Sequence, residues 1–377
     1  MQRRQTEPYI SQYLHSRGRK LGLPIGGNFE LTARCNFNCP MCYVHLSQED
    51  VAEKGRELTT EQWIQLAQDA RDEGMVFALL TGGEPFVRKD FFEIYGAMKK
   101  MGLLVSINSN GSMLSGEIRR KLLDDPPFRV NISLYGGSND TYCNMCGQPA
   151  FDQVVENIRA LKAENVQIRI NLSITPYNRH DLKRIYDVAE ELGVPLKAAS
   201  YMYPPVRVNS EQYGNGNRLN PEEAADSGVQ WDLLRFTDDE FALRAHNMKN
   251  LISRDVPECM AEQEEGVTCR AGSSAFWITW DGRMLPCGMM PYPEVDLLEM
   301  GFHDAWQQIR QKTREIHMPG QCGACPKKDV CSVCPAVCVT ETGKFDQVPK
   351  YVCQMTDATI QKTWGAYQER TGDNYGD

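Results

Sequence analysis

The sequence has no run approaching about 18 uninterrupted apolar residues, so nothing in it reads as a membrane-spanning helix. Its opening stretch, MQRRQTEPYISQYLHSRGRK, lacks the apolar core of a signal peptide. A cytoplasmic protein with no membrane partner is the expectation. An excess of basic residues is missing too: 41 Lys and Arg stand against 50 Asp and Glu, a net charge of -9. Nucleic-acid interfaces rest on cations that neutralise phosphates, so this balance argues against DNA or tRNA as a partner. There is no fixed-period repeat and no low-complexity segment. With 41% apolar residues over 377 positions, the chain can bury a large core and divide into two domains.

Cysteine is what the sequence has in quantity. Of 14, three fall within eight positions near the start, two sit mid-chain, and nine lie between Cys259 and Cys353. A secreted disulfide framework would explain the count, but the length and the missing signal peptide disfavour it. In a reducing compartment, clustered cysteines more often bind metal.

Between residues 29 and 205, short β-type runs alternate with helical periodicity. Expected strands span 29–33, 75–80, 103–107, 129–134, 166–174 and 195–201. Thr59 and Gln62 have capping-box spacing, Trp63, Leu66, Ala67 and Ala70 share one face, and Gly74 suits a helix stop. Six βα-type units imply an α/β fold with a parallel sheet, either open and doubly wound or curled into a partial barrel. Residues 206–255 turn polar and turn-rich and read as a bridge. From 256 to 377, short strands surround Cys-rich loops, as in a small module whose core is partly replaced by metal.

Cys35, Cys39 and Cys42 stand in CNFNCPMC, directly after the first expected strand. Three thiolates on a [4Fe–4S] cluster leave one iron open to a substrate, whereas a closed structural site would want a fourth ligand. These residues resemble the signature of the radical S-adenosylmethionine (SAM) superfamily, and the resemblance covers about 27–205. It implies a partial (β/α)6 TIM-type barrel over 29–205, preceded by a 1–28 extension. It also implies that the open iron binds the amino and carboxylate groups of SAM and that reductive cleavage gives a 5′-deoxyadenosyl radical. The cofactor carries that chemistry, and the protein positions and shields it.

By the same resemblance, Gly82, Gly83 and Glu84 of TGGEP would receive the SAM amino group. Asn110 of NSNG, Ser133 of NISLYG, and Asn171 and Ser173 on the fifth strand would contact ribose or carboxylate. Met41 fills the slot where the family has an aromatic beside the adenine, and Tyr43 is a neighbouring candidate. Polar residues filling a barrel mouth would look much the same.

The C-terminal set of Cys259, Cys269, Cys287, Cys322, Cys325, Cys331, Cys334, Cys338 and Cys353, with Gly282 five residues before Cys287, resembles the SPASM domain. That implies a small Cys-rich α+β module with two auxiliary [4Fe–4S] clusters. One would take Cys259 or its neighbourhood, Cys269, Cys287 and either Cys334 or Cys338. The other would take Cys322, Cys325, Cys331 and Cys353. A pair of zinc sites is the plainer alternative for such CxxC arrangements.

Cys143 and Cys146 of YCNMCGQP follow the fourth strand and are expected to face the same cavity, as a hydrogen-atom donor, a base or inert buried thiols. His45 and His180 receive no role, and Tyr201, Met202 and Tyr203 line a pocket or simply pack. The two-part layout resembles enzymes that crosslink, epimerise or oxidise peptides and proteins. Peptide modification is therefore the expected function, with a low-potential donor such as flavodoxin or ferredoxin. About 28 residues before the first strand are too few for a leader-binding domain, so a separate leader-binding protein is one route to recognition. Sulfatase maturation, small-molecule dehydrogenation and a non-catalytic metal or electron-transfer role are the alternatives.

Overall fold

The computed structural model describes residues 9–44, 46, 49–51, 55–206, 217–252 and 266–372. Six parallel strands form the body of the sheet: β1 (Gly26–Glu30), β2 (Phe77–Thr81), β3 (Leu104–Ser109), β4 (Arg129–Ser133), β5 (Ile168–Ser173) and β6 (Leu196–Ala199). They lie side by side in chain order. An open doubly wound sheet reverses its strand order at a switch point, and this one does not, which resolves the two sequence alternatives in favour of the partial barrel.

Between the strands run α1 (Tyr9–Leu21, ahead of β1), α2 (Thr60–Asp72), α3 (Phe91–Lys100), α4 (Gly116–Asp124), α5 (Asn139–Cys146), α6 (Phe151–Ala163) and α7 (Leu182–Glu191). The expected capping box is present on α2: Gln62 N–H donates to Thr59 Oγ1 at 3.3 Å, and Thr59 N–H donates to Gln62 Oε1 at 2.9 Å. Its stripe of Trp63, Leu66, Ala67 and Ala70 is buried against the sheet. The first strand starts three residues earlier than its apolar run, because Gly26–Asn28 pair with both β2 and a later strand, β7 (Ala275–Ile278). Backbone pairing on two sides outweighs the low strand propensity of GGN.

That later strand is the main departure from two separate sheets. β7 joins β1 in parallel, and the hairpin continues through β8 (Arg283–Leu285) and β9 (Val295–Asp296) to make one nine-stranded sheet. Gly282, at φ +90°, makes the β7–β8 turn. Phe276 of β7 meets Phe29 at 5.9 Å and Phe302 at 5.2 Å in edge-to-face contact, so the aromatic core is shared across the junction. Downstream, α8 (Pro221–Arg235) and α9 (Asp238–Ile252) pack on the C-terminal helix Lys350–Thr371. Arg218 and Glu341 tie the same region together by a 2.6 Å ion pair whose side chains are 11% and 7% exposed. No helix among the described residues is long and apolar enough to cross a membrane.

Candidate active site

The three N-terminal thiols lie in the long connection from β1 to α2, at the carboxyl end of the strands, where α/β barrels hold their sites. The ends of this connection are stapled by charges. Arg88 donates to the carbonyls of Leu31 (3.0 Å) and Leu58 (3.2 Å) and pairs with Asp90 at 2.6 Å, while Arg34 pairs with Glu57 at 2.8 Å. Arg88 was not singled out from the sequence. Its signal was faint: a basic residue four places after Glu84, at the foot of a helix.

Gly82 and Gly83 act on the same connection. A Cβ on Gly82 would sit 2.4 Å from Thr32 O, and one on Gly83 2.2 Å from Arg34 O. The missing side chains let Gly83 N–H donate to Thr32 O (2.8 Å) and Glu84 N–H to Arg34 O (2.9 Å). The glycines therefore hold the backbone that leads into Cys35.

Glu84 is fully buried. Its carboxylate accepts from Asn110 N–H at 2.7 Å, Phe86 N–H at 3.3 Å and Ser109 Oγ at 3.1 Å. Burial still pushes its pKa up to about 7. Asn110 extends the network, donating to Asn36 Oδ1 at 2.8 Å and reaching Cys35 Sγ at 3.7 Å; Asn36 donates to Ser112 Oγ at 2.9 Å. So the NSNG loop after β3 grips the CNFNC loop.

Burial is likewise the main reason the Cys35 thiol is pushed up to about 12, and Glu84, Cys42 and Cys39 add to the rise. Three thiols and a buried carboxylate this close repel one another when ionised. They suit a guest that brings positive charge, as a cluster iron and an ammonium do. A cubane puts each thiolate on a different iron, so three thiols on one loop hold three irons and leave the fourth open; the donor set fits that group.

Other expected contacts are scattered around this centre. Met41 packs on the main core, and Tyr43 packs with Ala33, Val44 and Trp280 in a satellite cluster. Ser133 shares a hydrogen bond with Tyr135. Asn171 sits beside Ser133 in register and faces the barrel interior, whereas Ser173 is exposed. Cys143 is exposed on α5 and Cys146 is fully buried at its end. The Cys146 thiol lies within hydrogen-bonding reach of Cys39, raising the Cys39 pKa together with burial, and Cys146 O accepts from Asn38 N–H at 3.2 Å. This CxxC thus straddles the cluster loop with one thiol in and one out. His180 is exposed beside Asp181.

In the C-terminal part, Cys259, like His45, lies outside the described residues. The other C-terminal thiols gather around Tyr203 and around Cys353, with Cys338 near members of both groups. The Tyr203 hydroxyl is 3.8 Å from Cys334 Sγ, and Tyr203, Cys287 and Cys334 pack in one cluster with Met290, Ile316 and Ala336. Burial raises the Tyr203 pKa, and Cys334, Cys287 and Cys269 raise it further, which places those three thiols on one side. Cys353 is raised by burial, then by Cys331 and Cys325. Cys338 is buried and pushed up to about 12 by burial, with Cys322, Cys334 and Cys331 adding to it. Tyr201 donates to Glu341 at 2.8 Å, so Tyr201 and Tyr203 both face this region.

Residues 29–189 match the family model of the Radical SAM superfamily. Across 340 residues the chain is 26% identical to an AdoMet-dependent heme synthase of Methanosarcina barkeri, covering 86% of this chain and 94% of that one. Its fold is similar to anSMEcpe with bound AdoMet (TM-score 0.66, 16% identity, 93% of this chain and 100% of that one). It is also similar to Streptococcus suis SuiB bound to precursor peptide SuiA (TM-score 0.64, 16% identity, 93% and 82%). With that match over the barrel, and the three-thiol loop and Glu84 at its carboxyl end, residues 29–189 form a domain of the Radical SAM superfamily.

Proposed function

We propose that this protein uses a 5′-deoxyadenosyl radical to modify a peptide or protein side chain. The observation that carries the reading is the convergence of the Cys35, Cys39 and Cys42 loop with the buried Glu84 and Asn110 above a polar barrel interior. When bound, a [4Fe–4S] cluster with one open iron supplies the electron that splits SAM. The chain's own part is to hold the three thiolates on a stapled loop, to present the Glu84 carboxylate to the SAM amino group, and to exclude water. With Glu84 held by three donors, its orientation is fixed before SAM arrives, so little ordering is left for the binding step. Ser133, Asn171 and Ser173 serve the ribose or carboxylate. Cys143 and Cys146 are the candidates for a hydrogen-atom donor, and the placement of Cys146 against Cys39 favours Cys143 for contact with substrate.

Two auxiliary [4Fe–4S] clusters complete the proposal. Cys269, Cys287 and Cys334 belong to one, which assigns the crossing ligand to Cys334, with Cys259 as its fourth. Cys322, Cys325, Cys331 and Cys353 belong to the other, leaving Cys338 as a buried neighbour. The similarity in fold to SuiB, which was crystallised with a precursor peptide, supports a peptide substrate. A second reading has its own support: the similarity to a heme synthase over 94% of that protein favours a porphyrin-type substrate.

Anaerobic reconstitution tests the core of this. About twelve iron and twelve sulfide per chain are expected if all three cubanes form, with 5′-deoxyadenosine released under a strong reductant. Replacing Cys35, Cys39 or Cys42 by Ala should remove four irons and abolish that release. A triple Ala variant that still cleaves SAM would end the proposal. Incubation with candidate peptides, read by mass spectrometry, separates loss of two hydrogens from deuterium uptake without mass loss, and a parallel porphyrin incubation tests the second reading.

A further inference from the structure

The loop after β3 does more than grip its neighbour, because one of its side chains is aimed at a thiol of the first cluster loop. Asn110 is 7% exposed, and its amide offers two N–H hydrogens and two oxygen lone pairs. Its Oδ1 accepts from Ser112 N–H at 2.9 Å and from Ser112 Oγ at 2.7 Å. A main-chain N–H can only donate, so the atom facing it is the oxygen and the amide cannot be turned over. Nδ2 therefore points at the connection between β1 and α2. It gives one hydrogen to Asn36 Oδ1 at 2.8 Å and the other to Cys35 Sγ at 3.7 Å, a length that the larger sulfur atom allows.

The turn that carries Asn110 is tied down. Ser112 Oγ accepts from Asn36 Nδ2 at 2.9 Å, which closes a ring of three side chains and fixes the direction of each amide. From α6, Gln153 donates to Ser112 O at 2.7 Å and Asn157 to Gly111 O at 2.9 Å. Cys35 Sγ also accepts from Phe37 N–H of its own loop at 3.4 Å; Asn110 brings a donor from another strand end.

The same residue touches both halves of the site. Its main-chain N–H holds the Glu84 carboxylate at 2.7 Å while its side chain reaches the Cys35 sulfur. A buried carboxylate and neighbouring thiolates disfavour a further negative charge, and one-electron reduction of a cluster adds one. A hydrogen bond to a ligand sulfur favours that added charge, and such bonds are among the terms that set a cluster's potential.

We propose that Asn110 is a positioning residue which, by donating from Nδ2 to Cys35 Sγ, raises the reduction potential of the first cluster and keeps it reducible beside Glu84. With all four of its bonding positions filled inside the protein, its side chain serves the cluster through Cys35 and not the nucleotide. The inference rests on the reading of Cys35, Cys39 and Cys42 as cluster ligands and is independent of the substrate.

The test is an EPR-monitored redox titration of the cluster-loaded full chain, following the signal that SAM perturbs, since SAM binds the open iron of this cluster. Asn110→Leu keeps about the same size and removes the donor. It should lower the ratio of reduced to oxidised cluster at a fixed potential about tenfold, a shift of about 59 mV for one electron. Asn110→Asp keeps the acceptor for Ser112 and turns the donor into a second acceptor, so it should lower the ratio further. An unchanged ratio in a loaded Asn110→Leu protein overturns the inference, as does a ratio that rises in Asn110→Asp. A second measurement needs no variant. When the unmutated protein carries nitrogen-15 only in its asparagine side chains, pulsed EPR of the reduced first cluster should show a nitrogen-15 coupling through the N–H to sulfur bond. A role in folding alone would give no such coupling, and its absence overturns the inference. The two levels stay apart: a SAM-responsive signal without the coupling sinks only this inference, whereas no SAM-responsive signal at all sinks the cluster reading beneath it.

Discussion

Replacing Gly83 by Ala should cost this protein its first cluster, and the geometry says how. The added Cβ would lie 2.2 Å from Arg34 O and 3.0 Å from Ala33 O, where a carbon–oxygen contact is comfortable at about 3.3 Å. Both partners are backbone, so no side chain can swing aside. Either the 32–34 segment moves by about 1 Å or the two backbone bonds, Gly83 N–H to Thr32 O and Glu84 N–H to Arg34 O, break. Overpacking costs roughly 1–3 kcal/mol and the loss of both bonds about 2 kcal/mol, so either route carries a penalty of about 1–3 kcal/mol. Because Cys35 follows Arg34 directly, the movement carries a thiol off its place. Gly96, in the interior of α3, is the control: nothing lies within 4 Å of its Cβ position, and Gly96→Ala should gain about 0.5–1 kcal/mol from backbone entropy. The assay is anaerobic unfolding of the cluster-free protein, followed by iron and sulfide analysis after reconstitution. A Gly83→Ala protein with an unchanged midpoint and full loading would show that the close approach does not shape the site.

Three more expectations follow from particular groups. Glu84 has its pKa raised from 4.5 to about 7 by burial, so the folded state holds its proton longer than the unfolded one; its stabilising share is complete below about pH 4.5 and is lost as pH rises through about 7, a swing of roughly 3 kcal/mol. Unfolding of the cluster-free protein at pH 5 and pH 8 should show this swing in the wild type and not in Glu84→Gln, and identical pH responses would refute it. Treating the cluster-free protein with the thiol oxidant diamide should join Cys39 to Cys146, seen as one crosslinked peptide pair by mass spectrometry and absent in Cys146→Ser; oxidation joining Cys39 elsewhere would contradict their juxtaposition. Arg218→Met should destabilise by about 3–5 kcal/mol because it strands the buried Glu341, and Glu341→Met on top of it should recover most of the loss; an additive double variant would mean the 2.6 Å pair is not coupled.

Reading the chain alone gave the six βα units, the α2 capping box and the three-thiol loop after β1, because these are local: period, cap and spacing are properties of neighbouring residues. What it could not give was long-range pairing. Short strands were legible after residue 256, but not that Ala275–Ile278 would lie against Gly26–Phe29, some 250 positions away, and move the start of β1 upstream. Arg88 and the pairing of Cys146 with Cys39 belong to the same class, as does the exposure of Cys143, which was expected to face the cavity beside Cys146. Arg88 and Cys146 work by reaching a distant part of the loop between β1 and α2, and nothing beside them in the chain announces that.

Sequence by itself determined the chemistry on offer: three thiolates at fixed spacing, a glycine pair before a carboxylate, and a second field of cysteines that no ordinary core requires. Only the tertiary structure decided their use. It turned the glycines toward the Thr32–Arg34 backbone, packed Cys287 and Cys334 into one cluster with Tyr203, and brought Arg129, Arg169 and Arg270 from two strands and a distant loop to the lining of one cavity. The physical reason is that ligand type is written in side chains, whereas proximity is set by which strands pair and which faces they bury.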